Sequence, residues 1–307
     1  MVGSIAARRA KTKRGRREIL KHEPKMVENP KVLACLRGHA TSSVVNGVLK
    51  EFYSLRRPLA KSFTRKNSIR PFEAAGEAPL EALLAKNDCS LFMLGNHTKK
   101  RPHNLILGRL FDGHLLDMVE FGIEDFVSLE AYTGRKRSLG IKPCVVFKGD
   151  FSSDPNLEKV KNLLLDVFRG PNASEVDLAG LEAMVTVEVK DGPRIVIRHH
   201  RILLKKSGGR LPRVELEDTG PTMELSIRRS QFAAPELMKM ALRQPKGLKS
   251  KKVKNISYEE GLGDTVGKVH VQKQDMKDLA LRKMKGLRKG ALKAAEQGEN
   301  ENDNAEN

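Results

Sequence analysis

CSLFMLGNHTKKRPHNLILGRLFDGHLLDMVEFGI, residues 89–123, begins with an apolar run from Ser90 to Leu94 bounded by Gly95 and Asn96. A short run closed by turn residues predicts a buried strand ending in a turn. A basic loop follows, Lys99, Lys100 and Arg101, stiffened by the fixed φ of Pro102. Apolar residues return at Leu105, Ile106, Leu107, Leu110 and Phe111, with Gly108 and Arg109 among them. The segment Leu115 to Phe126 mixes carboxylates with Leu116, Met118, Val119, Phe121 and Ile123, and Gly122 inside it is expected to allow a sharp bend. One strand thus hands the chain to a cationic loop of restricted conformation.

On the N-terminal side, Val44, Val45, Val48, Leu49, Phe52 and Leu55 recur by threes and fours, which predicts a helix over 41–55 closed by Arg56 and Arg57 before Pro58. Arg65, Lys66 and Arg70 then fall in a polar connection with Pro71. On the C-terminal side, Pro143 to Phe147 reads as a second buried strand that Gly149 and Asp150 end. Asp154 as N-cap, Pro155 in the first turn, a stripe of Leu157, Val160, Leu163, Leu164, Val167 and Phe168, and Gly170 with Pro171 as terminator predict a helix packed on a sheet.

Val185 to Val189 alternates apolar with polar, Asp191 and Gly192 supply a turn, and Ile195 to Lys205 returns as partner strand. Arg213 to Leu216 and Met223 to Arg228 are strand-like, separated by Thr219, Gly220 and Pro221, and Glu236 to Arg243 is helix-like. About five strands and at least two helices in this order argue for an α+β or mixed α/β domain rather than a Rossmann sheet. The boundaries predicted are a basic arm over 1–29, a globular domain over 30–235 and a tail over 236–307.

The chain of 307 residues carries 57 Lys and Arg against 38 Asp and Glu, a net charge of +19. That excess repels itself and calls for a polyanionic partner, nucleic acid before an anionic membrane. Between Arg8 and Lys25 the arm to Asn29 holds nine cations against Glu18 and Glu23 within that span, and it is expected to stay mobile until it meets phosphate. As a bland alternative it is a solvated tail. No apolar run nears the roughly 20 residues that cross a bilayer, and no apolar segment follows the N-terminal charges, so a soluble, intracellular protein without a membrane partner is expected. Cys35, Cys89 and Cys144 have no paired spacing and read as buried thiols in a reducing compartment.

Motifs for chemistry are missing. Gly261, Gly263 and Gly267 lack dinucleotide-binding spacing, Lys268 precedes Val269 rather than a Walker hydroxyl, and His97, His103 and His114 are too loosely spaced for a zinc helix. Asp112, Asp117 and Glu120 could hold a metal, but such carboxylates more often pair with a neighbour such as Arg109. No catalytic residue, metal or cofactor is expected.

Cationic loops flanked by Gly or Pro are present instead, and backbone amides there can approach phosphate closely. The candidate RNA contacts are Lys99, Lys100, Arg101 and Arg109; Lys205, Lys206, Arg210 and Arg213 around Ser207, Gly208 and Gly209; and, in the tail, Lys249, Lys251, Lys252, Lys254, Arg282, Lys283 and Lys285. The alternative for each loop is a supporting role, with arginines paired to carboxylates such as Glu215 and Glu217. With no Trp and 5% aromatics, recognition of folded RNA by shape and backbone is favoured over base stacking on an aromatic platform.

Together with RPFE at 70–73 and LKKSGGRLPRVELEDTGPTMELSIRRS at 204–230, the opening stretch resembles the Brix-domain family of ribosome-assembly proteins. KNIS at 254–257, GKVHVQKQD at 267–275 and RKMKGLRK at 282–289 narrow the resemblance to one branch of it. The resemblance implies a domain of two similar sheet-and-helix halves. It implies a non-catalytic, nucleolar factor of large-subunit assembly that binds 5S and large-subunit rRNA within the pre-ribosomal particle. Its partner would be the regulator of ribosome synthesis protein in a heterodimer, with the 5S-associated ribosomal proteins as further contacts. The acidic, asparagine-rich end from Glu296 to Asn307 departs from the basic ending expected of the branch, which puts an RNA role for those residues in doubt.

Overall fold

The computed structural model describes residues 11–21, 23–73, 75–136, 138, 140–170, 175–177, 180–190, 194–209, 211–245, 247, 248, 254–258, 265–269, 271, 290 and 293. The turn expected at Asp191 and Gly192 and the tail stretch 282–289 lie outside these. The chain forms two compact units, Met1–Lys249 and Ser250–Asn307.

The first unit runs α1 (Lys13–Lys21), β1 (Leu33–Gly38), α2 (Ser43–Arg56), β2 (Ala60–Asn67), α3 (Glu77–Lys86), β3 (Leu91–Asn96), β4 (Asn104–Phe111) and β5 (His114–Val127). It continues with β6 (Cys144–Lys148), α4 (Pro155–Phe168), β7 (Ala183–Lys190), β8 (Arg194–Lys205), β9 (Arg213–Asp218), β10 (Thr222–Gln231) and α5 (Pro235–Ala241). The second unit holds an antiparallel pair, β11 (Ile256–Tyr258) and β12 (Thr265–Gly267).

One sheet takes β1 to β10 in the order β2-β1-β3-β4-β5-β10-β8-β7-β6, with β9 on β8. The run β1-β3-β4-β5 is a parallel pair followed by two antiparallel steps. The run β6-β7-β8-β10 repeats that pattern, and the two runs meet where β5 and β10 pair antiparallel. An antiparallel join of two like halves is a pseudo-twofold about an axis normal to the sheet. Helices α2 and α4 accordingly lie on the same face, where Val45, Leu49 and Phe52 share one core with Val160, Leu164 and Phe168. The rings of Phe52 and Phe168 are 5.7 Å apart across the two halves.

Local chemistry sets both helices. The Ser42 hydroxyl accepts from Val45 N at 3.3 Å to open α2, and Asp154 accepts from Asn156 N at 2.8 Å to open α4. Five side chains of α4 are buried, each worth roughly 1.5–3 kcal/mol of gross hydrophobic transfer. Helix α2 presses so closely on β3 that a Cβ on Gly95 would lie 2.3 Å from Val45 Cγ1. On the opposite face α3 buries Leu80 and Leu84 against Leu36, Phe92, Leu94 and Ile106 of the first half only. Among the described residues no helix buries an apolar side chain on that face of the second half.

Several expectations change. Gly122 makes no bend: it lies within the continuous 14-residue β5, and its missing Cβ makes room for the Arg228 guanidinium, whose Nε would be 2.5 Å away. Arg65 and Lys66 belong to β2, an exposed edge strand whose short apolar content hid it, and neither β1 nor α3 was foreseen. Strand β6 is the opposite edge and only half-buried, and Cys144 on it is exposed rather than buried. Cys35 is buried as expected, and burial pushes its thiol up to about 12. The turn at Thr219 to Pro221 joins strands that are not neighbours, since β9 pairs with β8 while β10 lies between β8 and β5. Part of the arm forms α1, which buries no residue; a helix that short is marginal by itself.

Candidate nucleic-acid interface

The loop from His97 to His103 joins β3 to β4 and is held at several points. Thr98 and Arg101 exchange backbone hydrogen bonds of 3.1 Å, so Lys99 and Lys100 are the central residues of a tight turn. The Arg101 guanidinium donates to both oxygens of Glu120 at 3.2 Å, and Arg228 Nη2 donates to the Pro102 carbonyl at 2.9 Å. At the base, His103 N donates to His97 Nδ1 at 3.1 Å, and His103 Nδ1 lies 2.8 Å from Ser42 Oγ. Because that oxygen already accepts from Val45 N, its proton is free to point at His103, which ties the loop to the first turn of α2.

Glu120 is 1% exposed and anchors the loop. Besides Arg101 it accepts from Asn104 Nδ2 at 2.7 Å and from Arg229 Nε. Burial alone would raise its carboxyl, but the hydrogen bonds from Arg229 and Asn104 and the nearby guanidinium charges hold it below the usual carboxylate range. Lys99 and Lys100 are exposed and meet no carboxylate among the described residues. A loop fixed in this way loses little conformational entropy when its two ammonium groups meet phosphate.

Register adds cations that sequence reading did not assemble. Arg37 on β1 stands opposite Gly95 on β3 and Lys66 on β2, so three adjacent strands bring Lys66, Arg37 and the Lys99 loop to one edge of the sheet. Adjacent strands are roughly 4.8 Å apart. A cation at or shortly after the C-terminal end of each of these parallel strands was the available signal, but it becomes readable only once strand order is known.

Arg109 is a correction. Expected to face RNA, it is buried on β4, where Nε and Nη2 donate to Asp117 at 2.8 and 2.7 Å and Nη1 to Asn162 at 2.7 Å and Asp166 at 2.6 Å. A buried guanidinium with four of its five N–H donors held by carboxylates and an amide inside the domain is not presented to phosphate. Asp166 also takes Lys31 at 2.7 Å, so this cluster ties the first half of the sheet to the helix of the second. Burial pushes the Asp117 carboxyl above its ordinary range even with Arg109 bonded to it. Asp117 and Glu120, three residues apart on one strand, point to opposite faces and cannot share a metal.

The second expected loop is the tip of the β8–β9 hairpin. Lys205 pairs with Glu215, and Arg213 reaches the same carboxylate at 3.3 Å, so these two are partly neutralised, while Lys206 is exposed. Lys254 is exposed in the second unit. Arg210, Lys249, Lys251, Lys252, Arg282, Lys283 and Lys285 lie outside the described residues.

Two like halves in one sheet, with a pinned basic loop at its edge, agree with what the sequence matches. The family profile described as the Brix domain matches residues 38–229, from the end of β1 into β10, and the chain belongs to that family. It is 46% identical over 258 residues to a ribosome production factor 2 homolog of Homo sapiens, covering 84% of this chain and 83% of that one. The homologs of the same name from Drosophila melanogaster and Schizosaccharomyces pombe (strain 972 / ATCC 24843) are 40% and 38% identical, covering 93% and 98% of this chain and 88% and 96% of theirs. Within the family the chain thus falls in the ribosome production factor 2 branch, and its role lies in ribosome biogenesis.

Proposed function

We propose that this chain is a non-catalytic, nucleolar assembly factor that binds rRNA. With the regulator of ribosome synthesis protein as partner, it helps bring 5S rRNA and its two ribosomal proteins into the large-subunit precursor. The observation that carries the RNA reading is the Lys99–Lys100 turn, pinned through Arg101 and Pro102 yet without a carboxylate at its tip among the described residues. Lys206, Lys254 and the tail cations at Lys249, Lys251, Lys252, Arg282, Lys283 and Lys285 would extend the contact, as would Arg210.

A partner surface is supported by the asymmetry between the halves. The face that α3 covers in the first half has no covering helix in the second among the described residues, and there Val146, Leu204, Val214 and Leu216 are between 39% and 59% exposed. The alternation of β6, β8 and β9 directs these four away from α4, onto one surface. Exposed apolar groups gathered on a sheet mark a protein interface more often than a solvated face.

The test is a salt titration of binding to 5S rRNA and to an unrelated folded RNA of equal length, with and without the partner. The proposal expects a preference for 5S rRNA that needs the partner. Replacing Lys99 and Lys100 by Ala should lower affinity and reduce the slope of log K against log salt by about 1.4–1.8. Unchanged RNA binding in that variant would leave an interaction scaffold whose charge serves solubility and import.

A further inference from the structure

A cleft between α2 and β2 holds chemistry that neither the fold nor the basic loop uses. It has a volume of about 370 Å³ and is lined by Cys35 and Leu49 within, and by Arg37, Asn46, Lys50, Tyr53, Ser62 and Phe63, whose side chain packs on the α3 face. That volume is at the small end of the roughly 300–1,000 Å³ of pockets that enclose compact ligands. On α2, Asn46, Lys50 and Tyr53 recur at i, i+4 and i+7, so they form one stripe along the cleft. The register between β1 and β2 breaks after Leu36 and Phe63, and that irregularity borders the cleft.

Two groups there are unmatched. The Asn46 Oδ1 atom is buried without a hydrogen-bond partner. A buried acceptor without a donor is destabilising, and such an acceptor is readily kept where a ligand supplies the donor. The half-buried Arg37 side chain has no carboxylate partner among the described residues, and Lys50 has only Glu130 at 3.5 Å, both of them exposed. Arg65 and Lys66 stand on the same edge strand, also unpaired among the described residues. An acceptor inside a half-apolar cleft, ringed by cations that are weakly paired or have no carboxylate among the described residues, is complementary to a flat heterocycle that carries a donor and is attached to phosphates.

We propose that this cleft takes one unpaired, amino-bearing nucleobase of the bound RNA, with Asn46 Oδ1 accepting from the exocyclic amine and Arg37 and Lys50 on the flanking phosphates. The inference rests on the RNA-binding reading and adds to it a place where folded RNA is read at a bulge rather than by shape alone. The Lys99–Lys100 turn supplies general affinity from the same sheet edge, and the cleft supplies preference.

The test uses the full chain and three RNA hairpins of one sequence: fully paired, with a single bulged adenosine, and with purine riboside, which lacks the 6-amino group, at the bulge. The bulged-adenosine hairpin should bind about tenfold more tightly than the paired one, the order of a single buried base contact. Purine riboside should lose most of that preference. Asn46→Leu, which removes an orphan acceptor and so should not weaken the fold, should abolish the preference while leaving affinity for the paired hairpin unchanged. Ser62→Tyr, which fills the cleft from an exposed position, should do the same. Equal binding of the three hairpins by the native chain would overturn the inference and leave the RNA reading standing, whereas failure to bind any hairpin would overturn both. Loss of partner-protein binding in Ser62→Tyr, with the adenosine preference intact, would assign the cleft to a protein and also overturn it.

Discussion

Replacing Arg109 by Met removes the cation that is hydrogen-bonded to Asp117 inside the domain. The side chains are of similar length, so packing along the stem is retained and the loss is electrostatic. Asp117 is 3% exposed, and Arg109 gives it bonds of 2.8, 3.0 and 2.7 Å. Breaking a buried ion pair by deleting one partner costs about 3–5 kcal/mol, because the other charge stays behind without water. Asp166 loses a bond of 2.6 Å but keeps Lys31 at the surface, so most of the cost falls on Asp117. Against a total stability of roughly 5–15 kcal/mol, such a loss is severe.

The sign of the pH dependence follows from Asp117. Its native carboxyl is already raised by burial, and without Arg109 it rises further. A group that binds its proton more tightly when folded lowers stability as pH rises through the unfolded and then the folded pKa. The variant should therefore be destabilised most at neutral pH and recover part of the loss on acidification. Urea denaturation followed by circular dichroism at pH 7.5 and pH 5 measures both. Adding Asp117→Leu to Arg109→Met should restore much of the stability, since an apolar pair of like volume is often no worse than the ion pair. A loss below about 1 kcal/mol, the range of exposed pairs, combined with a drop in RNA affinity, would refute the strut and return Arg109 to the RNA-facing set.

Glu120→Gln should cost about 1–2 kcal/mol near neutrality, less than the full worth of a charged hydrogen bond because Arg101 and Arg229 can still reach water. The Glu120 carboxyl is held below its ordinary range, so its contribution is present above the unfolded value near 4.3 and is lost as pH falls through the lower native one; the gap between the urea midpoints of the native chain and the variant should narrow as pH falls below the unfolded value, and a gap unchanged by pH would contradict this. Gly95→Ala should destabilise by about 1–3 kcal/mol through overpacking, as its Cβ would meet Val45 Cγ1 at 2.3 Å and Leu49 Cδ1 at 2.9 Å; an unchanged melting temperature would show that α2 shifts freely.

Much of the fold was legible where the signals are local. Helix α4 was readable to within a residue because its cap Asp154, its Pro155, its apolar stripe and its terminator Gly170 all lie within one stretch of chain, and each acts on atoms a few bonds away. Strand β3 and the β7–β8 hairpin were readable for the same reason, as alternation or apolar runs between turn residues. The edge strand β2 was not, because an edge strand buries little and its residues Lys61, Arg65 and Lys66 are those of a loop.

By itself the sequence determined the class of elements, the basic character of the chain and the exposed turn of Lys99 and Lys100, all of which follow from composition and near-neighbour chemistry. Only the tertiary structure decided which cations are free. Arg109 and Lys99 look alike in sequence, yet Arg109 meets Asp166 57 positions away and is spent inside the domain, while Glu120 is completed by Arg229 109 positions on. The strength of a charge pair depends on its distance and on the water around it, and both are set by strand order and by the meeting of β5 with β10. Caps and periodicity act within a turn or two of chain; the neutralisation of a charge is fixed by the partners that folding brings from afar.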